Sequence, residues 1–208
     1  MPTTFSDQRK LSVVLFEGFE LLDVFGPVQL FGSLPDVAIE YVGPHTGPVI
    51  SSKGARVVAD LAYEDLARPD ILMVPGGQGT RTLVDDAGFL AWLGQAGSRA
   101  DLVASVCTGS ALLAAAGLLE GYSATSNKRA FTWASGFGDD VDWRPRARWV
   151  HDRDRWTSSG VAAGMDMATG MIADLYDADT ARAVTLRAEY EPHTDSTRDP
   201  FADVYRLG

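Results

Sequence analysis

A single cysteine in 208 residues rules out any internal disulfide, so the stability of this chain has to come from its core. Basic residues are in deficit: 18 Lys and Arg stand against 28 Asp and Glu, a net charge of −10. A phosphate backbone repels such a surface, and nucleic acid is not an expected partner. No apolar stretch reaches the ~20 residues that cross a bilayer. The N-terminal MPTTFSDQRK is polar and the apolar run after it spans only six residues, too short for a signal sequence. A soluble, cytoplasmic protein with no membrane association is therefore expected. Histidine is scarce too: His45, His151 and His193 form no HExxH or closely spaced Cys/His pattern, so no metal site is expected.

What the chain does have is alternation. Leu11–Phe16, Ile71–Val74 and Leu102–Val106 are short, near-continuous apolar runs, as in strands buried on both faces. Helical segments lie between and after them: Glu20–Leu34 with a restart at Pro27, Arg81–Ser98, Ala111–Leu119, Gly160–Tyr176 and 178–190. Such alternation predicts an α/β fold with a mostly parallel sheet and helices on both faces. Two β-hairpins are added, Val49–Val58 around Lys53-Gly54 and Ala147–Ser159 around His151–Arg155. One domain is expected over residues 1–208, its core at about 11–190, with 191–208 a polar tail.

The lone cysteine sits at a corner, where the strand ending at Val106 meets a small-residue helix. A cysteine is most often a small buried hydrophobe. At a strand-to-helix turn it occupies the place of a nucleophile elbow, and the helix start is expected to lower its pKa below the free value of ~8.5. A second corner, Pro75-Gly76-Gly77, follows the ILMV strand, and its glycines read either as a plain turn or, with the Thr108 N–H, as an oxyanion-type pocket. At the third, Asp23 lies in the otherwise apolar LLDVFGP, where an acid is costly unless paired or used. Beside Cys107 it would share a proton with the thiol, and the two would titrate as a pair. Four tryptophans, Trp133, Trp143, Trp149 and Trp156, share a stretch with five arginines and five aspartates. That zero net charge favours a role in the core, a pocket wall or a dimer surface over base stacking.

The set GFELLDVFGPVQLF, DILMVPGG, SVCTGSALLAAAGLLEGYSAT and WTSSGVAAGMDMATGMIADLY resembles the DJ-1/ThiJ/PfpI superfamily, and within it the isonitrile hydratase group. The resemblance spans about Leu11 to Tyr190. It implies a flavodoxin-like sandwich, usually a homodimer, with Cys107 as nucleophile, Thr108 as its catalytic neighbour and Asp23 as the active-site acid. Gly76, Gly77 and Gly109 would bind the substrate, a small electrophile, and no cofactor is required. One departure concerns the segment after the elbow helix: the hydratases carry a His-Trp pair where this chain has Asn127-Lys128.

These residues suit conversion of an isonitrile to an N-substituted formamide through a thioimidate, because the terminal carbon must receive both a nucleophile and a proton. Two alternatives stand beside it. One is a redox-sensing or ligand-binding protein with an oxidisable Cys107. The other is glyoxalase-like conversion of methylglyoxal, in which Glu17 or Glu20 would move protons. Thr108 directly after the cysteine, where PfpI-type peptidases have histidine, disfavours a protease.

Overall fold

The computed structural model describes residues 8–207. In chain order the elements are β1 (Arg9–Val14), α1 (Leu21–Phe31), β2 (Val37–Gly43), β3 (Gly47–Ile50), β4 (Arg56–Ala59), β5 (Leu61–Ala62), β6 (Ile71–Val74), α2 (Thr80–Leu83), α3 (Ala87–Arg99), β7 (Leu102–Ser105), α4 (Gly109–Ala115), β8 (Ser123–Ala124), α5 (Phe131–Ala134), β9 (Asp142–Trp143), β10 (Trp149–Asp152), β11 (Arg155–Ser158), α6 (Ala163–Leu175), α7 (Ala178–Arg187) and α8 (Phe201–Val204). Seven strands form the central sheet in the order β10-β11-β7-β6-β1-β2-β5. Every pairing in it is parallel except β10 with β11. The order β2-β1-β6-β7-β11 is the flavodoxin-like arrangement, whose crevice lies where the chain reverses direction, between β1 and β6. The hairpin β3/β4 stands apart as its own two-stranded sheet beside β2, and β8/β9 is another.

Strand burial follows from the apolar runs. All four residues of β6 are buried, and Leu11, Val13 and Val14 of β1 are fully so. Helices α1, α6 and α7 pack in succession on one another, while α4 packs against α2 and α3. The register Leu11↔Ile71↔Leu102 brings the carboxyl ends of β1, β6 and β7 level, so the three corners singled out in the sequence meet at one end of the sheet.

Several boundaries differ from expectation, each for a local reason. The helix through Pro27 does not restart; α1 runs on through it, with Gly26 and Pro27 held against Met165 and Gly164 of α6. Packing there outweighs one missing N–H bond. The helix expected over 81–98 is broken into α2 and α3, because the Asp86 carboxylate accepts from the Gly88 and Phe89 N–H groups at 3.0 Å each and caps α3. Helix α4 begins earlier, at Gly109, and ends at Ala115 before Gly117 at φ 75°. Strand β2 carries Glu40 in its middle and lacks the unbroken apolar signature of its neighbours.

The C-terminal segment is docked rather than a free tail. Asp199 is 1% exposed, and its Oδ2 lies 3.5 Å from Arg148 Nη1, while Arg148 Nε donates to Asp166 Oδ2 at 2.8 Å. Asp166 Oδ1 accepts from the Tyr190 hydroxyl and, at 2.7 Å, from the His193 N–H. Removing Arg148 takes away the ion-pair partner of Asp166 and leaves the buried Asp199 only the charge of Lys128, which is beyond ion-pair distance. Arg148→Ala is accordingly expected to cost about 3–5 kcal/mol, read as a fall of about 10 °C in the thermal melt.

Candidate active site

Cys107 stands between β7 and α4 with φ 59°, in the left-handed region that a side-chain-bearing residue adopts at a cost. Its surroundings hold it there. The Cys107 N–H donates to the Ser159 carbonyl at 3.1 Å, and its own carbonyl accepts from Ser110 Oγ at 3.1 Å and Ser126 Oγ at 3.0 Å. The side chain faces a cavity of about 370 Å³ whose wall includes Glu20, Gly77, Arg81, Thr108, Asn127 and Arg129. A larger cavity, about 910 Å³, opens by Trp149 and Trp156 near the sheet edge, with no thiol and no buried acid in its lining.

Asp23 lies beneath the thiol, fully buried on the first turns of α1. Its Oδ2 accepts from the Gly76 N–H at 2.9 Å, and its Oδ1 is buried without a hydrogen-bond partner. Burial raises its pKa to about 7; the Glu20 charge adds to this, while the Gly76 N–H and the Cys107 thiol pull the other way. Burial likewise pushes the Cys107 thiol far up, helped by the Asp23 charge. Hydrogen bonds from the Thr108 N–H, the Asn127 side chain and the Val161 N–H oppose the rise without cancelling it. The expected depression by the helix start is therefore overturned: a macrodipole contributes ~0.3–1 kcal/mol, less than the cost of taking sulfur out of water. The expected coupling of thiol and carboxyl is retained in one direction each: the Asp23 charge raises the proton affinity of the thiol, while the thiol's hydrogen bond lowers that of Asp23.

The glycine corner also differs from expectation. The Gly76 N–H is spent on Asp23, and the Gly77 N–H donates to Thr108 Oγ1 at 3.1 Å, so neither is free to serve as an oxyanion donor. The donors aimed at sulfur are the Thr108 and Val161 N–H groups and the Asn127 amide. Asn127 Oδ1 is taken by the Ala130 N–H at 3.0 Å, which leaves its NH₂ for the thiol. Thr80 Oγ1 lies 3.2 Å from Thr108 Oγ1 and 2.7 Å from the Gly77 carbonyl, fixing the hydroxyl beside the thiol.

Gly77 lines the cavity, whereas Gly76 and Gly109 stand behind its wall. A Cβ on Gly76 would lie 2.5 Å from Thr108 N and 2.9 Å from Cys107 Cβ. Gly77, at φ 134°, has no room beside the Gly18 carbonyl. Gly109 sits under the corner, where a Cβ would overlap the Val74 carbonyl oxygen. Gly76→Ala is expected to cost about 3 kcal/mol or more by pushing the β6 and β7 corners apart, a drop of about 10 °C in melting temperature.

Glu20 belongs to the cavity, with Oε2 3.0 Å from Ser52 Oγ and 3.1 Å from Lys53 Nζ; Glu17 lines a different hollow. Residues without a sequence signal, Val161, Arg81 and Arg129, complete the wall. Asn127 is reached only through the departure from His-Trp noted above. Lys128 beside it turns inward, 3% exposed, with Nζ 2.7 Å from Thr125 Oγ1 and its pKa brought down to about 8 by burial, Asp199 opposing.

Comparison with known proteins places this geometry. The sequence model of the DJ-1/PfpI family matches residues 9–174. An isonitrile hydratase of Pseudomonas putida is 35% identical over 183 residues, covering 88% of this chain and 79% of that one. The HTH-type transcriptional regulator GbdR of Pseudomonas aeruginosa is 30% identical over 84% of this chain, which spans 50% of the regulator. A crystal structure of a ThiJ/PfpI family protein from Pseudomonas syringae superposes with a TM-score of 0.83 at 36% identity, covering 89% of this chain and 76% of that one. The matching sequence, sheet order and cysteine corner together make this chain a member of the DJ-1/PfpI family.

Proposed function

We propose that the protein is a cysteine-dependent hydratase that converts an isonitrile to an N-substituted formamide. The observation that carries this reading is the buried Asp23 carboxyl set against the Cys107 thiol, with a pKa near neutrality. An isonitrile carbon needs a nucleophile and a proton at the same atom, and this pair supplies both from one place. The 35% identity to an isonitrile hydratase supports the same reading.

The reacting state holds one proton on the pair. The Asp23 carboxylate withdraws the thiol proton as sulfur bonds to the isonitrile carbon, then delivers that proton to the same carbon, giving the thioimidate R–N=CH–S–Cys107. The carboxylate next takes a proton from water, whose oxygen adds to the carbon. Transfer of the hydroxyl proton to nitrogen accompanies C–S cleavage, releasing R–NH–CHO and the sulfur anion, and Asp23 again holds the proton. Hydrogen bonds from Thr108, Val161 and Asn127 stabilise sulfur whenever it carries charge.

The raised proton affinity of Cys107 weighs against a peroxide sensor, whose reactive form is the thiolate. The test is turnover of cyclohexyl isocyanide, followed by loss of its infrared isonitrile band and appearance of N-cyclohexylformamide. Protein with an intact thiol that consumes no isonitrile would remove this reading.

A further inference from the structure

The cavity differs in charge from the protein around it. The chain as a whole carries −10, yet the side chains facing this hollow include Lys53, Arg81 and Arg129 against Glu20, with Asp23 below. Lys53 and Glu20 neutralise one another across 3.1 Å. The two arginines remain: among the described residues neither takes part in an ion pair. Arg81 is nonetheless held in position, its guanidinium carbon 3.4 Å from the centroid of the Trp133 ring on α5. Burial lowers its pKa, and the nearby Cys107 opposes that shift. Arg129, on the loop before α5, borders the same cavity, so two exposed arginines from different elements stand at its rim. Arginine forks match carboxylates in shape as well as charge, and two unpaired ones beside a nucleophile form an anion clamp.

We propose that the electrophile taken by this cavity carries a carboxylate, gripped by Arg81 and Arg129 while its reactive carbon meets Cys107. Resting on the hydratase reading for the reacting group, the substrate class is an isocyano carboxylate and the product an N-formyl amino acid. The clamp itself is independent of that chemistry and is tested on the thiol alone.

The probes are iodoacetate and iodoacetamide, which alkylate Cys107 by the same displacement of iodide and differ in one negative charge. Labelling is followed by intact mass, and each rate is divided by that of glutathione. The normalised iodoacetate-to-iodoacetamide ratio is expected to exceed one by about tenfold at low salt, to shrink at high salt, and to fall toward one in Arg81→Gln/Arg129→Gln. A ratio of one or less, a ratio indifferent to the double substitution, or failure of both reagents to reach Cys107 would overturn the clamp. In parallel, isocyanoacetate is compared with its ethyl ester: the clamp predicts a lower KM for the acid, lost in the double variant. An iodoacetate preference without turnover of either isonitrile keeps the clamp and removes the hydratase reading. Equal turnover of acid and ester without that preference does the reverse.

Discussion

Cys107→Ala is expected to lower kcat/KM for cyclohexyl isocyanide by ~10⁴-fold or more, to the limit of detection. The sulfur is the one strong nucleophile on the cavity wall; the Thr108 hydroxyl beside it is engaged with Gly77 and Thr80. Alanine tolerates φ 59° no better and no worse than cysteine, so the corner keeps its shape and the loss is chemical rather than structural. Intact mass of the wild type at saturating isonitrile is expected to show an increment equal to one substrate, placed on Cys107 by digestion and absent from the variant. Substantial turnover by Cys107→Ala would show that water is activated directly and that no thioimidate forms.

Asp23→Asn is expected to cost ~10²–10⁴-fold, because the amide accepts the Gly76 N–H as before but can neither take the thiol proton nor return it to carbon. The wild type should also show a pH profile with a definite sign. With Asp23 near 7 and Cys107 far above, the pair holds two protons in acid and one above neutrality. Only the one-proton state reacts, so activity rises with pH and is half-maximal at about 7. A profile that falls through 7 would mean that the fully protonated pair is the reactive one. Stability moves the opposite way. An acid whose pKa rises from 3.8 to about 7 on folding favours the native state in full below 3.8, and that contribution is lost as pH rises through 7. Relative to Asp23→Asn, the wild type should lose a few kcal/mol between about pH 4 and pH 7, visible as converging and then crossing thermal melts.

Much of this site was legible before any coordinates. Short, near-continuous apolar runs located β1, β6 and β7, since strands buried on both faces need unbroken apolar character. An acid in LLDVFGP, a PGG turn and a lone cysteine at a strand end marked three corners, and a parallel sheet brings such corners to one end, the carboxyl end of its strands. The helix boundaries were less legible, because the Asp86 cap and the packing of Pro27 on α6 depend on which side chain meets which backbone group.

By itself the sequence determined the fold class and the three corners that hold Asp23, the PGG turn and Cys107, because periodicity and turn chemistry are local properties of a chain. Only the tertiary structure decided the proton affinities and the division of labour around the thiol. It placed sulfur out of water, reversing the expected shift, and spent the Gly76 and Gly77 N–H groups on Asp23 and Thr108. It also docked residues 191–207 through Arg148 and gathered Arg81 and Arg129 at the cavity. Desolvation, hydrogen-bond allocation and charge proximity are set by neighbours distant in sequence, and no local pattern encodes them.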